Sequence, residues 1–137
     1  MKNPIILFFL LLGLTACESG TKQESNATQE NDVVKVLAAD EFQQKLQEDR
    51  NVQLIDVRTA KEYKNGHIPN SQNLDFLNGD FQKGISSLDK EKPVYVYCKS
   101  GNRSGKAAAA LKEKGFTKVF DLEGGYSAWP FKETEGE

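Results

Sequence analysis

Within seven residues, CKSGNRS (Cys98 to Ser104), the chain sets a thiol, two cations, three small polar side chains and a glycine. A strand-like run, Val94 to Tyr97, leads into the thiol, and an alanine-rich helical pattern, Ser104 to Lys114, leaves the loop and stops at Gly115. A helix that starts there turns its unpaired backbone N–H groups and partial positive charge toward the end of the strand, where Cys98 stands. Lys99 and Arg103 add formal positive charge. Surroundings of this kind lower a cysteine pKa from about 8.5 to between about 3.5 and about 7.5, which makes Cys98 a thiolate nucleophile at neutral pH. Gly101 permits a turn that points amides inward, and Ser100, Asn102 and Ser104 can cap or bond the loop. The alternative is a buried, inert cysteine closing a strand, which would leave the glycine, the cations and the helix start without a purpose.

Spacing narrows the chemistry. Four residues separate Cys98 from Arg103, one fewer than in the cysteine phosphatases, whose longer loop wraps a phosphoryl group. The tighter cradle suits a single added sulfur atom better than a tetrahedral phosphate.

The elements that must hold this loop follow from the apolar pattern. Strands are expected over Val33 to Leu37, Val52 to Val57, Ser71 to Leu74, Pro93 to Tyr97 and Thr117 to Leu122. Between them, Ala39-Asp40 opens a helix with Phe42 and Leu46 on one face, and Thr59 caps a short helix to Lys64. From Phe76 to Leu88, Gly79 and Gly84 break the pattern into one or two short helical turns, and Gly124-Gly125 turns into a last short helix, Tyr126 to Trp129. Strands that alternate with helices imply an α/β fold with a mostly parallel five-stranded sheet covered on both faces. Ligands of such sheets collect outside the carboxyl ends of the strands, where Cys98 falls.

The first 32 residues read differently. Lys2, the apolar run Ile5 to Leu12 and the ending Leu-Thr-Ala-Cys form a signal too short to cross a bilayer, since a crossing takes about 20 residues. The ending resembles the lipobox of bacterial lipoproteins, which implies a signal peptide over 1–16, acylation of Cys17 and a membrane tether; a plain signal peptide is the alternative. The stretch from Glu18 to Asp32 carries one aliphatic residue, Ala27, and is expected to be a disordered linker, leaving 33–137 as the domain. Loss of Lys2 from the 18 Lys and Arg leaves 17 against 20 acids, and no basic run points to nucleic acid. With Cys17 acylated, Cys98 has no partner in an exported, disulfide-permissive compartment, periplasmic or cell-surface.

The domain resembles the single-domain rhodaneses, thiosulfate sulfurtransferase-like proteins, from Val36 to Trp129. The motifs are LIDVRTAKEY, GHIPNSQNL, YVYCKSGNRS, the pair Gly115-Phe116 and LEGGYSAW; Asn70-Ser71 departs from the family's usual Gly-Ala. The resemblance implies a three-layer sandwich and a Cys98 that takes a sulfane sulfur from a donor such as thiosulfate and holds it as a persulfide. It implies that the amides from Lys99 to Ser104 stabilise that anion, that Arg103 and Lys99 attract the anionic donor, and that cyanide or a thiol removes the sulfur. It calls for no metal or organic cofactor, and the domain is expected to be a monomer. His67 and Arg58 stay outside the expected site: Gly-His-Ile-Pro is a structural turn in this family, and Arg58 pairs with Asp56 or nearby loops. Two rival readings are a non-catalytic binding module with the same fold and a persulfide carrier serving a protein partner.

Overall fold

The computed structural model describes residues 32–132. The signal peptide, Cys17 and all of the linker except Asp32 lie outside the described residues. Five strands make one wholly parallel sheet: β1 (Val34–Leu37), β2 (Gln53–Asp56), β3 (Gln72–Asn73), β4 (Val94–Tyr97) and β5 (Val119–Leu122), in the order β1-β5-β4-β2-β3. The helices are α1 (Ala39–Glu48), α2 (Ala60–Lys64), α3 (Asp80–Gly84) and α4 (Asn102–Glu113), with single 3₁₀ turns at Ile85–Ser87 and Tyr126–Ala128. The α/β architecture and the parallel sheet flanked by helices agree with the expectation from the sequence.

Side-chain alternation sends β1, β2, β4 and β5 into two cores. On one face Ile55, Val94, Val96, Cys98 and Val119 pack with Phe81, Ile85, Ala107, Ala108, Leu111 and Phe116. On the other, Leu54, Tyr95, Tyr97 and Leu122 meet Leu37, Phe42, Ile68 and Trp129. The central strand β4 is buried on both faces, which is why VYVY has no charged member. Full burial of one such large apolar side chain stabilises by about 1.5–3 kcal/mol, so the sheet and α4 hold each other rigidly where the loop between them begins.

The Phe76 to Leu88 stretch forms two short helical pieces, as expected: α3 ends on Gly84, where a Cβ would lie 2.7 Å from Leu74 Cδ1, so the glycine lets Leu74 close onto the helix. One local difference from the sequence reading matters: α4 starts at Asn102, two residues before the expected Ser104, because Gly101 takes the left-handed conformation (φ +106°) and accepts a hydrogen bond from Gly105 N–H at 3.0 Å.

Candidate active site

β2 and β4 are neighbours whose onward connections leave in opposite directions, toward β3 and toward β5. The crevice between their carboxyl ends is the switch point of the sheet. Cys98 follows β4 directly and is buried, 1% exposed. Its Sγ accepts a hydrogen bond from the Gly101 amide at 3.0 Å. Burial pushes the thiol up, but the Ser104 hydroxyl and the amides of Ser104, Gly101 and Ser100 outweigh it, so the Cys98 pKa is lowered. The early start of α4 explains the geometry: Asn102, Arg103 and Ser104 form its first turn, so the Ser104 amide is one of the unpaired helix-end donors. Lys99, Ser100 and Asn102 are exposed around the rim, while Ser104 is fully buried.

The backbone of the loop is fixed from behind. Tyr126 N–H donates to the Cys98 carbonyl at 2.7 Å and Ser127 N–H to the Lys99 carbonyl at 2.9 Å. Gly125 (φ +61°) lies so close that a Cβ there would be 2.5 Å from the Lys99 carbonyl carbon and 2.6 Å from the Cys98 carbonyl oxygen. Gly124-Gly125, read from sequence as a plain turn, is thus the buttress of the loop.

The rhodanese-like domain family covers residues 38–131. The chain belongs to this family. Among its relatives, the thiosulfate sulfurtransferase GlpE of Shewanella oneidensis is 39% identical over 82 residues, 60% of this chain and 79% of the relative. The uncharacterized protein YqhL of Bacillus subtilis is 35% identical over 97 residues, 71% of this chain and 73% of that one. A crystal structure of a rhodanese-like domain protein from Staphylococcus aureus superimposes with a TM-score of 0.64 at 32% identity, covering 74% of this chain and 99% of that one.

In this rhodanese-like domain Arg103 has a carboxylate partner from α2. Its two amino nitrogens bind both oxygens of Glu62, at 2.8 and 2.9 Å, and Glu62 also accepts from the backbone N–H and hydroxyl of Thr59. Glu62 of α2 is the residue that orients the loop arginine. Its pKa is held down to about 2, chiefly by the Arg103 hydrogen bonds, against a burial effect that raises it, with Thr59 adding to the lowering. Arg103 still feels the Cys98 thiolate, but its charge is largely balanced within the chain. Lys99 makes no ion pair among the described residues.

Arg58 and His67 have partners within the fold. Asp56 (0% exposed) and Arg58 (4%) form a buried ion pair at 2.6 Å, with Arg58 also donating to the Gly66 carbonyl at 2.7 Å and lying 4.3 Å from the Tyr126 ring centre. His67 is exposed, stacks on Tyr63 at 3.7 Å, and bonds the Tyr63 carbonyl through Nδ1 at 2.9 Å. No group of three His, Cys, Asp or Glu side chains among the described residues is placed to hold a metal ion. The clefts lined by Lys35, Lys45 and Phe120, and by Leu46, Val52 and Pro69, contain no residue of the Cys98 loop.

Proposed function

We propose that the protein is a sulfurtransferase working through a persulfide on Cys98. The Cys98 thiolate attacks the outer sulfur of a thiosulfate-like donor; the sulfur–sulfur bond of the donor breaks, sulfite leaves with the bonding electrons, and the cysteine carries one extra sulfur with the negative charge. A thiophilic acceptor, cyanide or a thiolate, then takes that sulfur and restores the Cys98 thiolate. The observation that carries the reading is the Gly101 amide 3.0 Å from Sγ, backed by the amides of Ser100 and Ser104. Fixed donors aimed at a sulfur anion stabilise thiolate and persulfide alike, and need no reorganisation as the charge moves outward. The exposed Lys99 draws in the anionic donor. Arg103 contributes less, because Glu62 already holds it.

The decisive experiment is mass spectrometry of the protein mixed with thiosulfate. The Cys98 peptide is expected to gain the mass of one sulfur while sulfite appears in solution, and the Cys98→Ser variant is expected to gain nothing and to form no thiocyanate when cyanide is added. An unmodified wild-type peptide would favour the binding module. Sulfur delivered to a protein thiol but not to cyanide would favour a persulfide carrier, a reading that the 32% identity to the putative sulfur carrier protein YrkF of Bacillus subtilis supports, although the match spans only 51% of that protein.

We further propose, from the Leu-Thr-Ala-Cys ending alone, that acylated Cys17 tethers the domain to a bacterial membrane. Cys17→Ala is expected to shift the protein from the membrane fraction to the soluble one or to block its processing; unchanged membrane retention would refute the tether.

A further inference from the structure

β5 carries a carboxyl on a face that is otherwise apolar. Alternation puts Val119 and Asp121 on the α4 side of the sheet and Phe120 and Leu122 on the other. Asp121 is 5% exposed and lies in register with Val96 of β4, and Cys98 follows Val96 by two residues on the same face. The first turn of α4 covers them. Asp121 Oδ2 is 3.8 Å from where a Cβ on Gly105 would stand, and the Ser104 hydroxyl lies beside both the carboxyl and the Cys98 thiol. Neither contact reaches full hydrogen-bond geometry: Ser104 Oγ and Asp121 Oδ1 are both buried without a partner.

A serine hydroxyl has one proton to give. If Asp121 is protonated, its own O–H donates to Ser104 Oγ, and the Ser104 proton goes to Cys98 Sγ. If Asp121 is ionised, its carboxylate takes the Ser104 proton and the thiolate loses that donor. We propose that Asp121 is a positioning residue whose protonation state directs the Ser104 hydroxyl toward or away from Cys98. The exchange moves protons only, the Asp121 proton passing to and from solvent, and no bond to sulfur forms or breaks.

The surroundings support the switch. Burial pushes the Asp121 carboxyl up to about 6, with Ser104 pulling partly the other way. Both forms are therefore populated near neutral pH. The groups around it are Val36 of β1, Val96 and Cys98 from β4 and its loop, and Ser104 and Gly105 of α4. Of these only Cys98 titrates, and no charged side chain among the described residues contributes to the shift.

The inference rests on the sulfur-transfer reading only in naming Cys98 as the reacting thiol. Thiolate absorbance of the full chain minus that of Cys98→Ser reads the switch without turnover, so a failure to accept sulfur from thiosulfate would overturn the proposed function and leave this test standing. Wild type is expected to titrate over a wider range than a one-proton curve, because ionisation of Asp121 withdraws a donor partway through. Asp121→Asn keeps donating to Ser104 at every pH, so its curve is expected to sharpen to one proton and move down by about half a pH unit or more. Ser104→Ala is expected to move the midpoint up by about one unit, and Asp121→Asn should add nothing in that background. Carbon-13 NMR of the Asp121 carboxyl needs no substitution and is expected to show a midpoint near the value of about 6. An Asp121→Asn curve identical to wild type, a full Asp121→Asn effect in the Ser104→Ala background, or a carboxyl that titrates at its ordinary position would each overturn the proposal.

Discussion

The segments that follow β2 and β4 occupy adjacent places on one sheet edge, and each brings an arginine to it within six residues. After β2, the charges cancel locally. Arg58 Nε and Nη2 and the Arg58 backbone N–H all donate to Asp56, at distances between 2.6 and 3.0 Å. After β4, the donors converge on a sulfur atom that has no counter-ion of its own, and the arginine of that loop is held by a carboxylate from α2. Two loops with similar composition at one address therefore differ in where their hydrogen bonds end. One closes on itself and stabilises; the other leaves an anion-stabilising ring open for chemistry.

The sharpest way to break this contrast is to remove the cation after β2. Arg58→Leu would strand the fully buried Asp56 carboxylate, and loss of one partner from a buried pair costs about 3–5 kcal/mol. The urea unfolding midpoint is expected to fall accordingly, while the Cys98 thiolate fraction of the protein that remains folded stays as in wild type. A loss under about 1 kcal/mol, or a clear shift in Cys98 ionisation at unchanged stability, would place Arg58 in the chemistry instead.

What the sequence could convey follows the same division. Strand, thiol, glycine and helix lie within one continuous segment, so the Cys98 loop and the Thr59 cap of α2 were legible, the latter with both hydrogen bonds of its capping box formed. The partners that complete the site come from far along the chain. Glu62 reaches Arg103 across 41 positions, and nothing in TAKEY marks it as more than the third residue of a capped helix. Gly125 was visible only as half of a Gly-Gly turn, because the constraint on it is the backbone of Lys99, not its own neighbours. Asp121 had a signal that went unused: in VFDL it breaks an otherwise apolar strand on the inward-facing register.

The smaller test acts on the contact that joins the two regions, and its sign can be fixed beforehand. Glu62 titrates at about 2 in the folded protein, well below about 4.3 in an unfolded chain. A depressed carboxylate pKa adds stability that is fully present above the unfolded value and is lost as pH falls through the folded one. Glu62→Gln lacks this contribution, so its urea midpoint is expected to lie below that of wild type at neutral pH, with the gap closing as pH drops from about 4.3 toward the folded value. The pair is partly exposed, its side chains 19% and 29% accessible, so solvent screening limits the gap to about 1 kcal/mol or less. A gap that persists unchanged into acid would mean that Glu62 acts by shape and hydrogen bonding, not by charge. A gap that closes would show that the arginine beside Cys98 is neutralised at working pH by a carboxylate of the β2 side, leaving the amide ring to hold the sulfur anion.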